Sequence, residues 1–114
     1  MKQRIKLWAD YGSYPLWGVD EVDNFAPEEL PLSPETIAGL HQWQDSYDAT
    51  LNQDYPPLSG FSSAEVEANF KQEGVQLWKQ LRQELSAEYE VYYQINGQLF
   101  KHPSELDLSK AIAY

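Results

Sequence analysis

A chain of 114 residues that is 42% hydrophobic and 14% aromatic is sized for one packed core, and a second domain is not expected. It has no cysteine, which excludes disulfides, thiolate nucleophiles, cysteine-type zinc sites and iron–sulfur ligation. Eighteen acidic against eight basic side chains give a formal net charge of −10, a balance that repels nucleic acid and anionic lipid and draws in a basic partner.

The charge is also unevenly spread. Residues 7–70 hold twelve aspartates and glutamates and not one lysine or arginine. The plain alternative is that such acidity serves solubility alone, because net charge argues about association and not about fold. The basic opening from Met1 to Lys6 leads into an apolar run that stops at Ala9, where Asp10 follows, so no signal peptide is expected. No stretch approaches the ~20 apolar residues of a spanning helix, and the expectation is a soluble, cytoplasmic bacterial protein.

From Gln3 to Ala9, Arg4, Lys6 and Trp8 alternate with Ile5, Leu7 and Ala9, the period-two pattern of a half-buried strand. The outward cations either face water or pair with carboxylates elsewhere. Next, Asp10 to Gly18 mixes glycines and a proline with Tyr11, Tyr14 and Trp17, which reads as a shaped loop and a poor central strand.

Three short pieces, Ala9 to Gly12, Pro15 to Trp17 and Tyr47 to Leu51, resemble the Ala-Asp-Tyr-Gly, Pro-Leu-Trp and Tyr-Asp-Ala-Thr-Leu segments of a family of small acidic bacterial proteins without a known activity. The similarity runs from about Leu7 to Tyr93 and leaves the C-terminal tail outside. It implies small acidic companions of other proteins, and it brings no ligand or catalytic residue with it.

Val19 to Leu32, with Pro27 and Pro31 around Glu28 and Glu29, reads as a long irregular connection. Asp20, Glu21 and Asp23 lack the spacing of a calcium loop. Ser33, Pro34 and Glu35 then supply a cap, a first-turn proline and a first-turn acid, so a helix is expected to about Leu51, with Ile37, Leu40, Trp43, Tyr47 and Leu51 inward. His41 beside this stripe reads either as a boundary histidine bonded to a neighbour or as a general base near Asp45 or Asp48, one turn along.

Asn52 to Phe61 is a second aromatic loop, and a second helix over Ser62 to Leu85 follows. Its start is expected as a capping box of Ser62 and Glu65, and its inner face as Val66, Phe70, Leu77, Trp78, Leu81 and Leu85. Gly74 within it suggests close approach of another backbone. Tyr89 to Ile95, Asn96-Gly97 and Gln98 to Lys101 then spell a two-residue hairpin, and the N-terminal strand is expected beside Tyr89 to Ile95.

The resulting fold is a single α+β domain over residues 1–103: a small antiparallel sheet of about three strands, covered on one face by two helices, in the order β-α-α-β-β. Residues 104–114 form a C-terminal tail or short helix. His41 and His102 are far apart and carry no metal-ligand motif. No phosphate loop, dinucleotide fingerprint or nucleophile elbow occurs, and carboxylate pairs are too common in an acidic chain to identify an acid and base. Neither cofactor nor metal is called for, and nothing points to direct nucleic-acid or membrane binding.

These residues describe a non-enzymatic acidic interaction protein that binds and neutralises a basic protein partner, as an immunity-type protein against a toxin or as an inhibitor by nucleic-acid mimicry. Asp20, Glu21, Asp23, Glu28, Glu29, Asp45, Asp48 and Asp54 supply the charge, and Tyr14, Trp17 and Tyr55 supply aromatic anchors. The alternative is a small ligand-binding or hydrolytic domain whose site lies between loops 10–18 and 52–61, lined by Asp10, Tyr11, Trp17 and Tyr55. A homodimer through a sheet edge or the N-terminal strand is compatible with either.

Overall fold

The N-terminal alternation folds as its pattern demands. Ile5 and Leu7 are fully buried and Ala9 nearly so, while Arg4, Lys6 and Trp8 point to the opposite side of strand β1 (Gln3–Leu7). The computed structural model describes residues 3–21, 23–51, 60–95 and 97–103. Within them β1 is followed by β2 (Leu16–Gly18), β3 (Asn24–Phe25), a 3₁₀ turn at Pro27–Glu29, α1 (Pro34–Asp48), α2 (Ala64–Glu84), β4 (Tyr89–Ile95) and β5 (Gln98–Phe100).

The sheet has five strands in the order β3-β2-β1-β4-β5, not three, and it is mixed, not antiparallel. β1 lies beside β4 as expected, but parallel to it, pairing Ile5 with Val91 and Leu7 with Tyr93. A parallel neighbour needs a long crossover, and the two helices between β1 and β4 provide one. The other pairs are antiparallel. The two strands missing from the expected order are three and two residues long and sit where a loop was read. Both exist through their partners: Leu16 lies opposite Leu7 and is fully buried, and Asn24 lies opposite Trp17.

α1 begins as read, with the Ser33 hydroxyl accepting from the Thr36 N–H and Pro34 in the first turn. It ends at Asp48, not Leu51, and Leu51 is exposed. Leu40 and Trp43 face the core, joined by Thr36 and Gln44, while Ile37 and Tyr47 are only half-buried. α2 is capped by Ser63 and not by Ser62: the Ser63 hydroxyl accepts from the Val66 N–H at 3.2 Å. Val66 is 44% exposed, and the inward stripe runs through Gly74, Val75, Trp78 and Leu81 to Leu85. Gly74 does mark a close approach, but by aromatic side chains, not backbone. A Cβ there would meet the Tyr93 ring Cζ at 2.7 Å and Trp43 Cζ2 at 2.8 Å.

The core lies between the helices and one face of the sheet. Trp78, fully buried, donates its indole N–H to the Val91 carbonyl at 2.8 Å, and Trp43 donates to the Phe70 carbonyl at 2.9 Å while stacking on the Phe70 ring at 4.5 Å. The Asn96 half of the hairpin turn and the whole of 104–114 lie outside the described residues, but Gly97 has the positive φ of +80° that such a turn requires. No helix among the described residues is long and apolar enough to cross a membrane.

Candidate partner-binding surface

β3 is an edge strand of only two residues, and carboxylates stand at both of its ends. Before it, Asp20, Glu21 and Asp23 occupy a tight turn closed by Gly18 N–H to the Asp23 carbonyl and Asp23 N–H to the Glu21 carbonyl, each at 2.9 Å. All three side chains are exposed. After it, Pro27 is buried and anchors the 3₁₀ turn, which leaves Glu28 and Glu29 outside. Glu29 folds back to accept the Ala26 N–H at 2.7 Å.

A run without lysine or arginine in sequence is not a surface without cations. Arg4 reaches from β1 to Asp20 and grips it with two hydrogen bonds, one of them Nε to Oδ2 at 3.1 Å. That hydrogen bonding holds the Asp20 carboxyl below the usual carboxylate range. Glu28 accepts from His41 Nε2 at 2.8 Å, and this bond, followed by one to its own backbone N–H, lowers its carboxyl in the same way. His41 therefore pairs with the 3₁₀ turn and not with Asp45 or Asp48. Glu21, Asp23 and Glu29 make no ion pair among the described residues.

Tyr14 is the exposed aromatic of this edge, 46% accessible. Its backbone is held on both sides by Asn24: the Tyr14 N–H donates to Asn24 Oδ1 at 2.9 Å, and Asn24 Nδ2 donates to the Tyr14 carbonyl at 2.7 Å and to the Leu16 carbonyl at 3.0 Å. The Tyr14 ring meets His41 edge-on, centroids 6.4 Å apart. Asn24 escaped the sequence reading because nothing in a lone asparagine announces a reciprocal clamp. The nearest signal was its place beside the acidic turn. Together these contacts fix the Tyr14 backbone on an edge whose two ends carry five carboxylates, of which Glu21, Asp23 and Glu29 have no ion pair among the described residues.

The remaining candidates go elsewhere. Asp45 is exposed on α1 and lines a groove between the helices with Gln42, Glu73 and Gln76, apart from the β3 edge. Asp48 turns inward to accept from the Gly12 N–H at 3.1 Å and from Gln44 Nε2 at 3.0 Å, and so fixes the 10–14 loop to α1. Trp17 lies on the helix-free face of the sheet, 5.5 Å from Trp8, and its indole N–H donates to the Trp8 carbonyl. Asp54 and Tyr55 lie outside the described residues. Of the alternative site, Tyr11 packs on Tyr47 at 4.5 Å and bonds Thr50 Oγ1 at 2.6 Å on the helical side, so it does not share a surface with Trp17. No group of three or more histidines, aspartates or glutamates among the described residues is placed to hold a metal ion.

Set against known proteins, residues 3–96 match the model of a family described as Serratia CdiI immunity protein-like. No curated protein matches the chain.

Proposed function

The chain belongs to the Serratia CdiI immunity protein-like family, and on that premise we propose that it is an immunity protein of contact-dependent inhibition which binds a basic toxin domain along the β3 edge and blocks it. The observation that carries the reading is the β3 edge itself: Asp20, Glu21 and Asp23 stand in the turn before it, Glu28 and Glu29 in the turn after it, and Asn24 within it clamps the backbone of the exposed Tyr14. Carboxylates steer a basic partner into encounter, and an exposed aromatic ring on a fixed backbone supplies the anchor that, once desolvated, slows its departure. Trp17 is not needed in this arrangement, because its indole is spent on the sheet's helix-free face.

The direct test is co-expression with the toxin domain, read as growth, together with binding kinetics of the purified pair. The native chain restores growth. Tyr14→Ala raises the dissociation rate about tenfold or more, as removal of a hot-spot ring does, and leaves the unfolding transition in place. Full protection and unaltered dissociation in that variant would move the interface away from β3. Failure of the native chain to protect would end the immunity reading.

A further inference from the structure

At the sheet edge opposite β3, the chain builds a site of the other polarity. Where the last turn of α2 meets the start of β4 and the end of β5, a pocket of about 180 Å³ is lined by Arg82, Ser86, Tyr89, Glu90, Lys101 and His102. Three of the chain's ten lysine, arginine and histidine side chains thus converge on one small volume in a protein of net charge −10. Around them stand two hydroxyls, from Ser86 and Tyr89.

Arg82 is half-buried there and makes no ion pair among the described residues, although the chain has more than twice as many carboxylates as lysines and arginines. A guanidinium left without a carboxylate in an acid-rich chain is the unusual feature, since its fork geometry suits two oxygens of one anion. Glu90 is the one acid among the described residues that line the pocket, and it is already engaged: Lys101 Nζ lies 3.8 Å from it and the Tyr92 hydroxyl donates to it at 3.3 Å.

We propose that this pocket binds the phosphate group of a small phosphorylated ligand. The donors come from three chain segments, residues 82–86, Tyr89 and residues 101–102, so they surround the volume from several directions. A tetrahedral, doubly charged oxyanion uses such an array, whereas a planar carboxylate uses one fork. The pocket sits at the C-terminal end of α2, where the last carbonyls oppose an anion, so the side-chain cations carry the binding. The site is separate from the β3 edge and independent of the immunity reading.

The probe is inorganic phosphate, titrated at constant ionic strength and followed by backbone amide shifts of residues 86–91 and 101–102, with acetate as the planar comparator. Expected is a saturable shift confined to those residues with phosphate, and none with acetate at the same concentration. Arg82→Gln, a substitution a helix tolerates, weakens phosphate about tenfold, the loss of one charge-assisted contact. Glu90→Gln, which removes the competing acid, tightens it. An unsaturable or dispersed shift, or one that survives Arg82→Gln, overturns the site. Equal response to acetate overturns the phosphate assignment, as does weaker phosphate binding in Glu90→Gln.

Discussion

Single residues carry unequal loads here, and Gly74 and Glu84 show two kinds of dependence. Gly74 lets the buried rings of Tyr93 and Trp43 lie against the α2 backbone. Alanine would favour the helix by up to about 1 kcal/mol, but its methyl group has no room between rings that are themselves held: Tyr93 donates its hydroxyl to the Lys71 carbonyl, and Trp43 its indole N–H to Phe70. Gly74→Ala is expected to lose about 1–3 kcal/mol net, measured by denaturant unfolding.

Glu84 closes α2 and holds the start of α1, accepting from the Ser33 N–H at 2.6 Å, from the Ser33 and Thr36 hydroxyls and from Gln80 Nε2 at 2.6 Å. Burial pushes its carboxyl up, but these hydrogen bonds outweigh burial and leave it below the ordinary glutamate range. A depressed native value means that the stabilisation is full above the unfolded pKa and is lost as pH falls through the native one. Glu84→Gln should therefore cost about 1–3 kcal/mol at neutral pH, and its stability should fall less steeply than the native chain's on acidification. Parallel acid limbs for the two proteins would count against this role.

Among the elements, helices were legible and short strands were not. Ser33-Pro34 marked the start of α1 to the residue because its signals are local: a hydroxyl for an orphan N–H and a proline whose missing N–H costs nothing there. At α2 two adjacent serines compete for the cap, and the sequence pattern favoured Ser62 because Glu65 completes a box. Packing decided for Ser63, since turning Gly74 and Trp78 inward carries Val66 out to solvent. Ser63→Ala should cost about 1 kcal/mol and Ser62→Ala less than about 0.5 kcal/mol. Reversed values in thermal unfolding would restore Ser62 as the cap. β2 and β3 have no periodicity to read at three and two residues, and their identity comes from Leu7 and Trp17 across the sheet.

For the molecule as a whole, the charge separates into two edges. At the β3 edge, Asp20 and Glu28 are tied to Arg4 and His41, so in the proposed interface the carboxylates left to steer the toxin are Glu21, Asp23 and Glu29. Reversing those three to lysine should slow toxin association about tenfold at low salt, with the gap to the native chain closing as salt rises and with the fold intact. An unchanged association rate would show that another face meets the toxin.

By itself the sequence determined the α+β class, the two helices and their approximate ends, the buried alternation of Ile5, Leu7 and Ala9, the hairpin after Ile95 and the acid-rich character of the chain, all of them properties written in local pattern and composition. Only the tertiary structure decided that β1 and β4 run parallel, that two further strands extend the sheet, that Arg4 neutralises part of a stretch with no cation of its own, and that Asn24 clamps the Tyr14 backbone on the edge between two acidic turns. These depend on residues from 7 to 86 positions apart meeting across a sheet or between layers, and no periodicity within one segment encodes which partner it will find.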